Sequence, residues 1–377
     1  MKVAIFTGPT GGHFFPALAF LESLKRRHPE AQILLVTSQR GRALAEKFAS
    51  PLEVPFEFLP DFPFPRPGRA DFLLRLIPFL IKLGQSFLRS GKILKTFRPD
   101  LSVGFGSYVA FPGMGLSRWR KIPTLIHEQN ARMGQSNLWL TRWADRVALS
   151  FDPDDENVLS LAYRVTGLPL RRALVDSSGQ KGRAEPPIFS EGRFRILMVG
   201  GSQGAHAMNE LWKEALARFS DEEKSKLAVI HITGEKDFDA MKAFYENQRI
   251  EALVFPFHNR MEEIYPEADL AFTRAGASTL FELALFRLPA IVIPYPHAEG
   301  HQEKNARYFE NSGALRVFEE KNSTPENLEA AVRELMNSDR SRKQMQEALS
   351  RLSLSDAAER LVELGEELIR EKEVCTV

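Results

Sequence analysis

The sequence predicts an α/β fold of two Rossmann-like halves, each built on a parallel sheet. Two observations carry that prediction. An apolar strand, a glycine turn and a helix follow one another at Val3–Phe6, Gly8–His13 and Phe15–Arg27, and the same order returns at Arg195–Val199, Gly200–Ala205 and about 207–219. Short apolar runs also alternate with helical periodicity through both halves, the pattern of strands covered on both faces by crossover helices. The length agrees, since 377 residues make room for two domains of roughly 150 residues or more.

The elements follow in order. In the first half Ile33–Val36, Leu101–Gly104, Thr124–Ile126, Arg146–Ser150 and Arg164–Thr166 read as further strands; in the second, Val229–Thr233, Leu253–Phe257, Asp269–Thr273 and Pro289–Pro294 do. A polar, proline-bearing stretch at 179–190 places the linker at about 165–192, giving an N-terminal domain of 1–165 and a C-terminal domain of 166–349. The tail from Pro325 to Glu373 reads as charged amphipathic helices, with the last, about 350–377, expected to pack back on the first domain.

Residues 269–305 hold the densest chemistry. After the strand Asp269–Thr273 come a tight turn, Arg274–Gly276, and a helix over 278–286 that starts with Ser278 and Thr279. Backbone N–H groups and small side chains therefore open where α/β sheets bind ligands, and an anion fits there. Serine and threonine also simply cap helices, so both readings stand at this point. Glu282 follows on the same helix, a carboxylate able to accept both hydroxyl protons of a ribose. The loop beyond brings His297, Glu299, His301, Gln302 and Asn305.

Composition excludes several classes. A hydrophobic fraction of 44% and a charged fraction of 26% are globular values. A net charge of +1 lacks the electrostatic footprint of a nucleic-acid-binding protein. Cys375 is the only cysteine, so no internal disulfide forms and a reducing compartment is expected. The opening MKVAIFTG has too short an apolar run for a secretory signal core. No stretch reaches the roughly 18 apolar residues of a spanning helix. A cytosolic or membrane-attached protein is the expectation.

Neither glycine loop matches G-x-G-x-x-G or the P-loop, which argues against nicotinamide, flavin and ATP. His13 closes the first loop, where it would face the interdomain crevice as a general base for an acceptor hydroxyl; a structural histidine is the alternative. Gly104-Phe105-Gly106-Ser107-Tyr108 is a third glycine turn. His127-Glu128-Gln129-Asn130 follows the strand Thr124–Ile126 on the functional rim of the sheet, and four successive polar residues there need partners. A second zinc-helix histidine and a cysteine cluster are both missing, so no protein-built metal site is expected.

Residues 62–98 set Arg66, Arg69, Arg75, Lys82, Arg89, Lys92, Lys95 and Arg98 against the single acid Asp71, interleaved with Phe72, Phe79 and many aliphatic residues. An apolar face with a cationic rim fits a helix lying on an anionic leaflet. A core helix with its basic residues in water is the other reading.

Taken together, Thr10-Gly11-Gly12-His13, GFGSYVAFPG at 104–113, HEQN with Gly134 and Asn137, TGLPLR at 166–171, GGSQGA at 200–205 and the 274–305 stretch resemble the MurG family, in family order over residues 1–315. That family moves N-acetylglucosamine from UDP-N-acetylglucosamine to the muramyl C4 hydroxyl of undecaprenyl-pyrophosphoryl-muramyl-pentapeptide, lipid I to lipid II, in bacterial peptidoglycan synthesis. The resemblance implies a GT-B fold, two Rossmann-like domains facing across a cleft, and an inverting transfer by a peripheral enzyme on the cytoplasmic face of the membrane. It implies no built-in cofactor; a divalent cation is compatible but not implied.

By matching motif, Thr10, Gly11 and Gly12 resemble the first donor-binding loop, and Asn130 and Gln302 would contact the sugar. Arg171 and Ser202 would meet the diphosphate side, and Gln203 would also belong to the donor site. Ala277, Ser278, Thr279, Leu280, Phe281 and Glu282 would line the nucleotide, with Glu282 on the ribose. His258 stands on the uracil side, where the family usually has an aliphatic residue. His13 would be the base, helped by Glu128. The Gly104, Gly106, Ser107 and Tyr108 turn would serve the acceptor pyrophosphate, and Phe72, Arg75, Phe79, Lys82 and Arg89 the anionic membrane surface. Competing readings are a relative acting on another lipid, a UDP-N-acetylglucosamine epimerase, and a non-catalytic nucleotide-sugar-binding scaffold.

Overall fold

The computed structural model describes residues 1–62, 72–179, 188–200, 205–296 and 300–374. It divides into two compact units, one of Met1–Arg172 together with the chain from Asp356 on, the other of Ala173–Ser355.

The first unit is a seven-stranded parallel sheet in the order β3-β2-β1-β4-β5-β6-β7. Its strands are β1 Lys2–Phe6, β2 Gln32–Ser38, β3 Phe56–Leu59, β4 Leu101–Gly104, β5 Thr124–Glu128, β6 Arg146–Leu149 and β7 Tyr163–Val165. Side chains alternate across a strand, and here both faces are covered. Val3 and Ile5 pack with Phe14, Leu18 and Leu21 of the Gly11–Arg27 helix and with Leu361 and Leu364 of the Ala357–Val374 helix. Ala4 and Phe6 pack on the opposite side with Val109 and Met114 of the Ser107–Trp119 helix. Gly113 is required on that helix, because a Cβ there would stand 2.1 Å from the Phe6 ring.

Charge reinforces the docking of the C-terminal helix. Glu359 pairs with Arg26, Glu363 with Arg27 at 3.0 Å, Glu366 with His28 at 2.7 Å, and Glu367 with Arg164 at 2.9 Å.

The second unit is a six-stranded parallel sheet in the order β10-β9-β8-β11-β12-β13. Its strands are β8 Phe194–Val199, β9 Leu227–Ile232, β10 Glu251–Phe255, β11 Leu270–Thr273, β12 Ala290–Val292 and β13 Leu315–Val317. The strand order reverses at β8 and β11, so the turns that leave these two strands flank the switch point where such sheets take ligands. Two strands, β3 and β13, fall outside the sequence expectation. Both are short edge strands, and β3 lies between Pro55 and Pro60, which edge positions tolerate and sequence patterns read as loop.

Candidate active site

In the first unit three turns converge on His13. The Gly11–Arg27 helix begins directly after Thr10, with no side chain capping it, and His13 sits in its first turn, half-buried. Thr7 at the end of β1 donates its hydroxyl to the His13 carbonyl at 2.9 Å. A Cβ on Gly8 would come within 2.9 Å of the imidazole and 2.7 Å of Ser107 Cβ. Gly106 lies on the other side of the ring at φ +77°, and Ser107 follows at φ +68°. Positive φ is costly for serine, and a strained residue held in place beside a histidine is the pattern of a working site.

The rim of β5 completes this arrangement. His13 Nδ1 is 3.2 Å from Gln129 Oε1, and Gln129 Nε2 donates to the carbonyl of Phe105 at 3.2 Å and to that of His127 at 3.3 Å. His127 is fully buried and hydrogen-bonds through Nε2 to the Gly167 carbonyl at 3.2 Å; burial pushes its pKa down to about 4, so it is neutral. Sequence reasoning left Gln129 without a role. Its position in a run of four polar residues at a strand end was the signal that could have found it.

Glu128 is buried, and its carboxylate is fully engaged. One oxygen accepts from Asn130 N at 2.9 Å and Asn130 Nδ2 at 3.1 Å, the other from Gly134 N at 3.0 Å and Asn137 Nδ2 at 2.8 Å. Four donors on one carboxylate fix the loop that carries Asn130. Tyr108 donates to Asp61 at 3.0 Å, and burial together with that bond raises its pKa to about 12. Arg171 lies over Phe15 at 5.1 Å, and also lowers the pKa of Glu22, a carboxyl that burial raises on balance.

In the second unit the turn after β11 is clamped from several sides. Arg274 is buried, pairs with Glu320 and donates to the Ile293 carbonyl at 3.2 Å. Gln302 Oε1 accepts from Ala275 N at 3.1 Å and Tyr295 N at 2.9 Å, while Asn305 Nδ2 donates to the Ala275 carbonyl at 3.3 Å. The helix Ala277–Phe286 then starts from Gly276 with no side-chain cap, so its first N–H groups are left for another acceptor. Ser278 Oγ is buried there without a hydrogen-bond partner among the described residues. Thr279 stands beside Gly276, its Oγ1 3.7 Å from where a Cβ would be. Glu282 accepts from Tyr265 at 2.6 Å, which fixes its carboxylate. His258 packs against Phe255 with ring centroids 4.9 Å apart, and its Nε2 is buried without a partner among the described residues. Ala277, Leu280 and Phe281 are buried: they hold the helix in place. Ser202, Gln203, His297 and Glu299 lie outside the described residues.

The Phe72–Phe97 helix, in the first unit, carries Leu74, Ile77, Leu80, Ile81 and Leu88 exposed, with Arg75, Lys82, Arg89, Lys92 and Lys95 also facing solvent. Phe79 packs on Phe62 at 6.1 Å, and Arg89 pairs with Glu57 at 3.2 Å. The side chain of Phe72 is outside the described set. No helix among the described residues is long and apolar enough to cross a membrane, and no cluster of three metal-ligating side chains occurs among them.

Two parallel α/β units, matched by the two domain models of glycosyltransferase family 28 and by a solved MurG structure, place the chain among glycosyltransferases of the GT-B class. The glycosyltransferase family 28 N-terminal domain matches residues 3–149 and the C-terminal domain of the same family matches 195–361. The UDP-N-acetylglucosamine–N-acetylmuramyl-(pentapeptide) pyrophosphoryl-undecaprenol N-acetylglucosamine transferase of Halothermothrix orenii is 33% identical, over 97% of this chain and 99% of its own. The enzyme of that name from Thermodesulfovibrio yellowstonii is 34% identical over 99% and 100%. The crystal structure of Acinetobacter baumannii MurG aligns with a TM-score of 0.74 at 28% identity, covering 97% of this chain and 99% of that one. A UDP-N-acetylglucosamine 2-epimerase aligns with a TM-score of 0.68, but at 14% identity it shares the fold alone. The chain belongs to the MurG family.

Proposed function

We propose that this protein transfers N-acetylglucosamine from UDP-N-acetylglucosamine to the C4 hydroxyl of the muramyl sugar in undecaprenyl-pyrophosphoryl-muramyl-pentapeptide, converting lipid I to lipid II. Identity of 33–34% along nearly the whole chain to enzymes named for that transfer is the observation that carries the reading. The first unit takes the acceptor and the membrane; the second takes the nucleotide sugar.

The muramyl O4 attacks the anomeric carbon, the bond from that carbon to the UDP oxygen breaks, and the configuration inverts to a β linkage. His13 accepts the hydroxyl proton. Glu128, with its carboxylate committed to four donors, holds Asn130 for the sugar and leaves the proton to His13. Negative charge gathers on the departing diphosphate, where the uncapped Ala277–Phe286 N-terminus, Ser278 and Arg171 stabilise it. Glu282 holds the ribose, Gln302 the sugar and His258 the uracil side. The Phe72–Phe97 helix rests on the anionic cytoplasmic leaflet, its exposed aliphatic side chains in the acyl boundary and its basic residues among the headgroups.

A panel of UDP-sugars offered with a lipid-linked muramyl-peptide acceptor, read by UDP release, tests the assignment. Release should require both UDP-N-acetylglucosamine and the acceptor. UDP or an epimerised sugar formed without acceptor would point to epimerase chemistry, and donor binding without turnover to a scaffold.

A further inference from the structure

The hydrogen bonds behind His13 run in one direction only. Gln129 Nε2 lies 3.2 Å from the Phe105 carbonyl oxygen and 3.3 Å from that of His127. Carbonyl oxygens only accept, so the amide cannot be turned round without setting three oxygens against one another. Gln129 Oε1 is therefore the atom that faces His13 Nδ1 at 3.2 Å, and an amide oxygen demands a proton from its partner. His127 backs this orientation. Its Nε2 faces the carbonyl oxygen of Gly167 at 3.2 Å and must donate, which leaves its Nδ1, 3.3 Å from Gln129 Nε2, as a further acceptor for the amide. With Gln129 2% exposed and His127 fully buried, water does not scramble the sequence of donors.

We propose that Gln129 is the positioning residue that sets the tautomer of His13, holding the ring proton on Nδ1 so that Nε2 is the nitrogen without a proton. This rests on the reading of His13 as the base and adds which nitrogen takes the acceptor's proton. The same amide oxygen still accepts from Nδ1 once the ring is an imidazolium, so proton uptake at Nε2 requires no rearrangement behind it. A carboxylate in that place would hold the cation more tightly; a neutral amide orients the ring and lets it give the proton up. The glycines fit this role, since a side chain at Gly8 or Gly106 would meet the imidazole at 2.9 and 3.1 Å and turn it off the Gln129 oxygen.

The test is a side-chain nitrogen-15 spectrum of the full-length protein with labelled histidine, at a pH of about 8, above the usual imidazole range. The His13 signals are assigned by their loss in His13→Gln. The expected pattern is a protonated Nδ1 and a bare Nε2 in the parent, with that preference lost in Gln129→Met. A parent in which His13 carries its proton on Nε2 overturns the proposal, and so does an unchanged pattern in Gln129→Met. Should Gln129→Met not fold, the parent spectrum alone decides. Turnover separates the two levels of the argument. Gln129→Met should lower kcat roughly 10- to 100-fold with the donor KM kept, as for a misdirected base. Full activity in His13→Gln would remove the base reading itself, whatever the tautomer.

Discussion

Gly106, in the Gly104–Tyr108 turn, leaves the space that the His13 ring fills: a Cβ added at Gly106 would stand 3.1 Å from both Cε1 and Nδ1 of the imidazole. The backbone there is at φ +77°, which glycine alone adopts without strain. Gly106→Ala therefore pays twice, in backbone strain of about 1–3 kcal/mol and in displacement of the ring. Turnover should fall by roughly tenfold or more with donor affinity nearly kept. Titration calorimetry with UDP-N-acetylglucosamine and steady-state UDP release measure the two quantities, and a variant with parental kcat would show that the ring has room to move.

Glu282 offers a contrast, because its partner Tyr265 already fixes one carboxylate oxygen at 2.6 Å. If the carboxylate also accepts from ribose hydroxyls, Glu282→Ala removes charge-assisted bonds worth about 1.5–3 kcal/mol each. Donor affinity should then weaken by at least tenfold. Tyr265→Phe keeps the carboxylate and removes only its anchor, so its loss should be smaller. Calorimetric Kd values that do not differ between parent and Glu282→Ala would confine this residue to a structural role.

Acid should act through the buried histidines. Burial lowers His127 from 6.5 to about 4 and His231 to about 3. Each is neutral in the native state, while the unfolded chain protonates below about 6.5. The unfolded state thus gains protons first as pH falls, so the stability present above pH 6.5 is eroded between there and about 4 for His127 and down to about 3 for His231. His127→Gln removes one such titration. The advantage of the parent over this variant in urea denaturation should shrink by roughly 2 kcal/mol between about pH 7.5 and about pH 5. Parallel stability curves over that range would mean that His127 is not held neutral.

Much of the fold was legible because strand, glycine turn and helix are local patterns. β1 with its helix and β11 with the Ala277–Phe286 helix lie where apolar runs end in glycine. The edge strands β3 and β13 were not legible, since four and three residues are too few to show a period. The role of Gln129 was hidden for a different reason. Its two carbonyl partners come from Phe105, just past β4, and from His127 in β5, so the arrangement exists only once the two strands pair. The commitment of Glu128 was similarly invisible, because its donors at Gly134 and Asn137 depend on how the loop folds back. The exposure of Leu74, Ile77, Leu80, Ile81 and Leu88 was ambiguous for its own reason: a sequence shows an apolar face without showing whether protein covers it.

Those five side chains form an exposed apolar face on the Phe72–Phe97 helix. An exposed apolar helix face in a globular protein calls for a cover, and the basic residues around this one favour an anionic lipid surface over a neutral protein. Each Lys or Arg close to such a surface contributes about 1 kcal/mol, screened by salt. Arg75→Ser, Lys82→Ser and Arg89→Ser combined should lower partitioning onto anionic vesicles by up to roughly 100-fold at low ionic strength. Arg89 is already paired with Glu57, so its own share should fall below the full value of about 1 kcal/mol per basic residue. Replacing Leu80 and Ile81 by Ser should also weaken binding, but with little dependence on salt, because that loss is hydrophobic. Both variants should keep their thermal stability, the altered side chains being exposed. Both should also retain turnover on a short-chain, water-soluble acceptor. Vesicle sedimentation across a salt series checks all of this, and equal binding by parent and triple variant at low salt would leave the helix without a lipid partner.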